Sequence, residues 1–233
     1  MGKNTTRSAL LVIDMENAFL SKESVHCNPM AAATVPACVR AVRAARSKQI
    51  PVFFVKRLYR SNGSDVELSR YLLWREGGRS LAPGSTGPLS AQAPEGLRPI
   101  PGDYTIIKPR YSAFFQTELD LILRRLAVDT VILCGTATPN CIRTTAYDAD
   151  SLGYGVVLLA DCCSSATQEI QDANLADLRR IGAHLLSASD LETYDERTAD
   201  HLVSVIREDM ESSDIAPEPW KESEAGVFRI DPW

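Results

Sequence analysis

The stretch Thr130-Val131-Ile132-Leu133-Cys134-Gly135-Thr136-Ala137-Thr138-Pro139-Asn140-Cys141-Ile142-Arg143-Thr144-Thr145-Ala146-Tyr147-Asp148-Ala149, followed by Val156-Val157-Leu158-Leu159-Ala160, reads as strand, turn, helix and strand. Residues 130–134 are a short apolar run, partly β-branched, that stops at Gly135, as a buried strand does. Residues 136–140 make a turn. Residues 140–152 then form a helix, with Cys141 at its start. A second apolar run at 156–160 closes a strand–helix–strand unit, the building block of a parallel sheet.

The same alternation extends both ways along the chain. Strands are expected at 9–13, 51–55, 105–107 and 183–186, and helices at 34–48, 117–126, 167–181 and about 190–208. A polar stretch at 56–65 precedes a helical-looking segment at 66–75, and residues 77–102 form a long excursion rich in Gly and Pro. The pattern predicts an α/β fold of three α/β/α layers: a Rossmann-like, doubly wound, mostly parallel six-stranded sheet. It occupies one domain, residues 1–211. Residues 212–233 mix acids and prolines with Trp220, Phe228 and Trp233, and read as a C-terminal arm docked on the body or a neighbour, or as a disordered tail.

Ligands of such sheets bind beyond the carboxyl ends of the strands, and three strands end in reactive groups. The run at 9–13 ends at Asp14, the run at 105–107 ends at Lys108, and the central unit presents Cys141. A cysteine at a helix start lies near unpartnered N–H groups and the positive end of the helix dipole, which favour the thiolate. An acid to take the thiol proton, a cation to hold the sulfur and a soft nucleophile together make a covalent catalyst. Each also has an ordinary structural role open to it: a buried cysteine, a helix cap, a strand-end lysine.

The composition narrows the function classes. The chain has 233 residues, 45% of them hydrophobic, enough for one sizeable core, with a net charge of −5. It has no basic stripe for nucleic acid and no apolar run of about 20 residues to span a bilayer. Residues 1–8 lack a signal peptide's apolar stretch. The Met1-Gly2 start superficially matches a myristoylation pattern, but the first strand follows too soon for a free anchor. The six cysteines form no CxxC pair, which suits a reducing cytoplasm. The three histidines are scattered, so no Ser-His-Asp or Cys-His set is legible. No GxGxxG follows the first strand, which argues against a dinucleotide cofactor.

LLVIDMENAF (residues 10–19), IIKPRYSAF (106–114) and CGTATPNCIRTTAYDADSLGYGVVLLADCCSSAT (134–167) resemble the isochorismatase-like cysteine hydrolases, over about residues 8–189. The resemblance implies a catalytic triad of Asp14, Lys108 and Cys141, a cis peptide between Thr136 and Ala137, and an oxyanion hole from the N–H groups of Ala137 and Cys141. It implies hydrolysis of a C–N bond in a small amide, ureide or carbamoyl compound through a thioester, most like the family's ureide and carbamoyl hydrolases. Nicotinamidases of the family carry an Asp/His metal site after the second strand, where residues 55–61 here hold no histidine; no metal and no cofactor are therefore expected. Homo-oligomers, dimers or tetramers, are also implied. Glu16 stands where the family usually has an amide or amine-bearing side chain, and either raises the pKa of Asp14 or pairs with a cation.

Candidate substrate-binding residues are Phe19, Arg57, Arg60, Tyr111, Phe114 and Thr138, with Arg143, Trp74 and Tyr147 behind them. Guanidinium suits a substrate carboxylate, but a solvated or structural arginine is as common, and the aromatic residues also suit plain core packing. Two other readings stay open. One is an isochorismatase-type vinyl-ether hydrolase, which needs an acid rather than a nucleophilic cysteine. The other is a non-catalytic binding protein on the same scaffold.

Overall fold

β1 (Ser8–Ile13) and β4 (Thr130–Thr136) are buried at every position, as strands are when both faces of their sheet are covered. The computed structural model describes residues 7–196, 203–212, 221–222 and 228–229. β1 and β4 lie side by side, from Ser8 opposite Thr130 to Ile13 opposite Gly135. β2 (Val52–Arg57) and β3 (Tyr104–Lys108) extend the sheet on one side; β5 (Gly155–Ser164) and β6 (His184–Leu186) extend it on the other. The order is β3-β2-β1-β4-β5-β6, and every pairing in this sheet is parallel. In this doubly wound order the connections reverse direction between β1 and β4, leaving a crevice at their carboxyl ends.

Alternation along the strands builds two cores. Leu10, Val12, Val52 and Phe54 pack with Cys38, Ala41, Val42 and Ala45 of α2 (Ala31–Ser47). Ala188 and Leu191 of α7 (Ala188–Thr193) join that layer. Leu11, Ile13, Phe53 and Val55 pack on the other face with α4 (Leu119–Arg125), α5 (Arg143–Ser151) and α6 (Gln168–Arg180). Each fully buried Leu, Ile, Val or Phe is worth about 1.5–3 kcal/mol, so these two layers hold the sheet.

The structure departs from the sequence reading in four places. A short helix, α1 (Asn17–Leu20), follows β1. The segment at 66–75 is a 3-10 turn, Leu68–Arg70, followed by α3 (Tyr71–Glu76). β5 runs past residue 160 to Ser164, with a register shift against β4 between Leu133 and Gly135. The expected helix at 190–208 is two helices, α7 and α8 (Val203–Ser212). α7 ends because Tyr194 turns extended, its hydroxyl bonding Ser8 Oγ at 3.0 Å, while Glu196 accepts from Ser8 N–H. Of the C-terminal segment, β7 (Lys221–Glu222) and β8 (Phe228–Arg229) pair antiparallel; Trp220 and Trp233 lie outside the described residues. No helix among the described residues is long and apolar enough to cross a membrane.

The excursion between β2 and β3 has its own small core of Tyr59, Val66, Trp74 and Leu81 with Ala18. Trp74 is buried there, and its indole N–H donates to Ser80 O at 2.8 Å. It therefore does not line the crevice.

Gly135 fixes the spacing at the crevice. Its φ is +118°, and a Cβ on it would lie 2.0 Å from the carbonyl oxygen of Ile13 in β1. Neither atom can retreat, since both are strand backbone. Gly135→Ala is expected to destabilise the protein by about 3 kcal/mol or more, a fall of roughly 6–12 °C in Tm. Thermal unfolding checks this, and an unchanged Tm would contradict the register described.

Candidate active site

Asp14 follows the last residue of β1 and adopts φ 53°, a left-handed conformation that Asp tolerates better than most residues. Its backbone N–H donates to Val55 O at 2.9 Å, so the chain stays attached to β2 as it turns. Lys108 ends β3. Both side chains are wholly buried, and Lys108 Nζ lies 2.8 Å from Asp14 Oδ2. The ammonium also donates to Cys141 Sγ at 3.4 Å and to Arg110 O at 3.1 Å. The ammonium at the end of β3 thus gathers a carboxylate from the end of β1 and a sulfur from the turn after β4.

Cys141 is held by an irregular turn. After β4 comes a cis peptide between Thr136 and Ala137, then a π turn, Thr138–Ile142, before α5. The buried Thr138 hydroxyl donates to Ser164 O at 3.1 Å. The Asn28 amide also donates to Ser164 O, at 3.0 Å, and to the Thr136 hydroxyl. Thr138 thus ties the Cys141 loop to β5, which fits the other role open to it, building that loop, and it is not on the cavity wall as a substrate contact would be.

The electrostatics also correct the expected thiolate. Cys141 is buried in this turn, and burial, then the charge of Asp14, push its thiol up to about 11, with Lys108 pulling it back. Near neutral pH the sulfur rests as a thiol beside a carboxylate. Burial alone would lower the pKa of Lys108, but Asp14 and Cys141 outweigh it and the ammonium stays above the usual lysine range. Glu16 is also buried, and burial followed by the charge of Asp14 lifts its carboxyl well above the usual range. It accepts from Arg57 N–H at 3.1 Å, and Lys56 Nζ lies 3.8 Å from its other oxygen.

Cys141 opens onto a cavity of about 260 Å3, at the small end of ligand sites. Ala137 and Cys141 lie on its wall, with Phe19, Arg57 and Tyr111. Asp14 and Lys108 sit behind Cys141, out of contact with solvent. Arg57 is buried, pairs closely with Glu67, and stacks between Tyr59 and Tyr111 with its guanidinium carbon 5.4 and 5.3 Å from the ring centres. Two other expectations fail. Arg60 is exposed and off the cavity, its N–H held by Asp65. Phe114 packs in the core against Tyr154, ring centres 5.7 Å apart. Arg143 and Tyr147 both engage Asp177 on the helical surface.

His26, Asn28 and Arg70 also line the cavity, and the sequence reading missed them. His26 and Asn28 belong to the irregular connection between α1 and α2, with no periodic signal. Arg70 lies inside the helical-looking segment at 66–75. Among the described residues no group of three His, Cys, Asp or Glu side chains is placed to hold a metal ion, and guanidinium groups on the wall suit an anion rather than a cation.

A family model for the isochorismatase domain matches residues 8–190. A protein of Arabidopsis thaliana named "Probable inactive nicotinamidase" is 37% identical over 184 residues, covering 78% of this chain and 93% of its own. A ureidoacrylate amidohydrolase of Yersinia enterocolitica is 31% identical over 205 residues, covering 82% and 88%. The crystal structure of an isochorismatase family protein from Desulfovibrio vulgaris superposes with a TM-score of 0.76 at 39% identity, covering 82% of this chain and 98% of that one.

The charges around the sulfur set opposite expectations for two variants. Asp14 raises the thiol pKa and Lys108 lowers it. At pH 8, Asp14→Asn is expected to speed alkylation of Cys141 by iodoacetamide, with thiolate rising about tenfold for each unit the pKa falls. Lys108→Gln is expected to slow it. Peptide mass spectrometry reads both rates; slower alkylation in Asp14→Asn would contradict the charge arrangement.

Proposed function

This chain belongs to the isochorismatase family, and from that premise we propose that it hydrolyses a C–N bond of a small amide, ureide or carbamoyl compound through a thioester on Cys141. The observation that carries this reading is the buried contact of Lys108 with both Asp14 and Cys141, opening onto a small cavity. Kinship with a ureidoacrylate amidohydrolase supports the bond type.

In the proposed mechanism Asp14 takes the Sγ proton as the sulfur adds to the substrate carbonyl. The resting thiol makes this transfer part of the step rather than a prior equilibrium. Lys108 stays protonated and stabilises whichever of Asp14 and Cys141 carries the negative charge. The carbonyl oxygen, now an oxyanion, accepts hydrogen bonds from the N–H groups of Ala137 and Cys141. Each such donor is worth about 2.7–4 kcal/mol in the transition state. Asp14 then protonates the leaving nitrogen, the C–N bond breaks, and ammonia or an amine departs from the thioester. Water gives a proton to Asp14 as its oxygen adds to the acyl carbon. The C–S bond breaks, the acid or carbamic acid leaves, and the sulfur regains its proton from Asp14. Atoms and charge return to the starting state.

The test combines intact-mass spectrometry with an ammonia assay on wild type and Cys141→Ala across a panel of small amides and ureides. Wild type is expected to show an acyl adduct, the substrate's mass less its leaving amine, or to release ammonia. Cys141→Ala is expected to show no adduct and to lose at least about a thousandfold in rate. Full activity in Cys141→Ala would sink the thioester and favour vinyl-ether hydrolysis. A Cys141 inert to substrates and thiol reagents alike would favour a binding protein.

A further inference from the structure

The cavity wall carries cationic side chains and no carboxylate. Its ionisable groups are Cys141, Cys27, His26, Arg57, Arg70 and two tyrosines. Arg57 is already neutralised by Glu67. Arg70 is not: it has no acidic partner among the described residues, and its guanidinium carbon lies 5.5 Å from the ring centre of Tyr111. Stacking on an aromatic face holds a guanidinium plane without occupying its N–H donors. Tyr111 thus presents two guanidinium groups, one spent on Glu67 and one available to a ligand.

His26 supplies an independent sign. It is only 9% exposed, and its Nε2 has no hydrogen-bond partner. A buried polar atom left unpaired costs about 1–3 kcal/mol, and such atoms in native proteins call for a partner. The residue lines the same cavity as Arg70, so a ligand there can supply that partner. Burial, then the charges of Arg70 and Arg57, hold its pKa down to about 4. The ring is therefore neutral near pH 7, able to bond a ligand without adding a third full charge.

We infer that the cavity receives a substrate with a carboxylate at one end, bound by the Arg70 guanidinium and the His26 imidazole, while its other end presents the scissile carbonyl to Cys141. This rests on the hydrolase reading above and narrows it to carboxylate-bearing amides and ureides. A single available guanidinium matches a planar monoanion in its two-pronged geometry. The cavity of about 260 Å3 suits a short molecule.

The probes are half-amides of short dicarboxylic acids (oxamate, malonamate and succinamate) beside the corresponding diamides, which differ only in lacking the charge. Calorimetric binding is measured on Cys141→Ala, in which hydrolysis is blocked, alone and combined with Arg70→Gln or Arg70→Lys; thermal melts confirm that each variant is folded. One half-amide is expected to bind at least about tenfold tighter than its diamide. Arg70→Gln is expected to bring that ratio close to one, with Arg70→Lys between. Equal affinity for acid and amide, a preference that survives Arg70→Gln, or no binding of either series would each overturn the inference. Ammonia release by wild type reads the hydrolase proposal separately. A half-amide bound through Arg70 but never hydrolysed would sink that proposal and leave the carboxylate site standing. Hydrolysis of acid and amide at equal kcat/KM would do the reverse.

Discussion

The site is organised by one wholly buried ion pair, Lys108 with Asp14. Taking two charges out of water costs several kcal/mol per ion, and their attraction repays this only with close geometry and further hydrogen bonds. Both conditions hold: the ions are 2.8 Å apart, and the ammonium's other donors reach Cys141 Sγ and Arg110 O. The pair also limits the fold. Asp14 follows β1 and Lys108 ends β3, with β2 between them. The lysine stem must cross the end of β2, so the three strands have to finish at matched heights. The parallel register does this, setting Ile13 opposite Val55 and Arg57 opposite Lys108.

One buried cation beside two acidic groups has a chemical consequence. If Asp14 and Cys141 were both ionised, the pocket floor would hold one uncompensated negative charge in a dry environment, which is expensive. The favoured state has one negative charge shared between two sites. At rest it lies on the carboxylate, since burial and Asp14 together push the thiol up to about 11. A proton moving between sulfur and carboxylate then leaves the net charge beside Lys108 unchanged. The raised thiol pKa follows first from burial and then from placing a carboxylate beside the sulfur. Glu16 fits the same frame. Burial and the charge of Asp14 lift its carboxyl well above the usual range, against the pull of Lys56 and Lys108.

The sheet and the strand-end residues were legible in the sequence because both depend on short-range pattern. Apolar runs of strand length, stopped by Gly135 or by a charged residue, locate the carboxyl edge directly. What failed depended on contacts distant in sequence. The helix expected at 190–208 breaks because Tyr194 and Glu196 engage Ser8, more than 180 residues away. Phe19 and Phe114 look alike as sequence, yet one lines the cavity and the other stacks on Tyr154. Thr138, three residues before Cys141, suits either a substrate contact or a loop brace as sequence, and only its bond to Ser164 O of β5 decides for the brace. Arg60 and Arg70 are equally charged; only the 3-10 turn at Leu68–Arg70 brings the second onto the cavity.

These successes and failures divide along a line in the molecule. Asp14 and Lys108 sit at the ends of β1 and β3, and Cys141 in the turn that follows β4, all three buried at the carboxyl edge of the sheet. The residues inferred to choose the substrate come from irregular connections: His26 before α2, and Arg70 in the excursion whose small core surrounds Trp74. Among the bonds that fasten that excursion to the site, Arg110 Nη1 donates to Asp65 O at 2.7 Å; within it, Tyr59 Oη donates to Glu67 at 3.0 Å. Glu67 also neutralises Arg57, so one acid both anchors the excursion and sets how much positive charge the cavity shows. Altering the excursion can therefore change the charge offered to a ligand while leaving the ammonium, carboxylate and thiol in place. Chemistry and recognition draw on different parts of the fold, which is why an Asp-Lys-Cys set read from strand ends cannot by itself name a substrate.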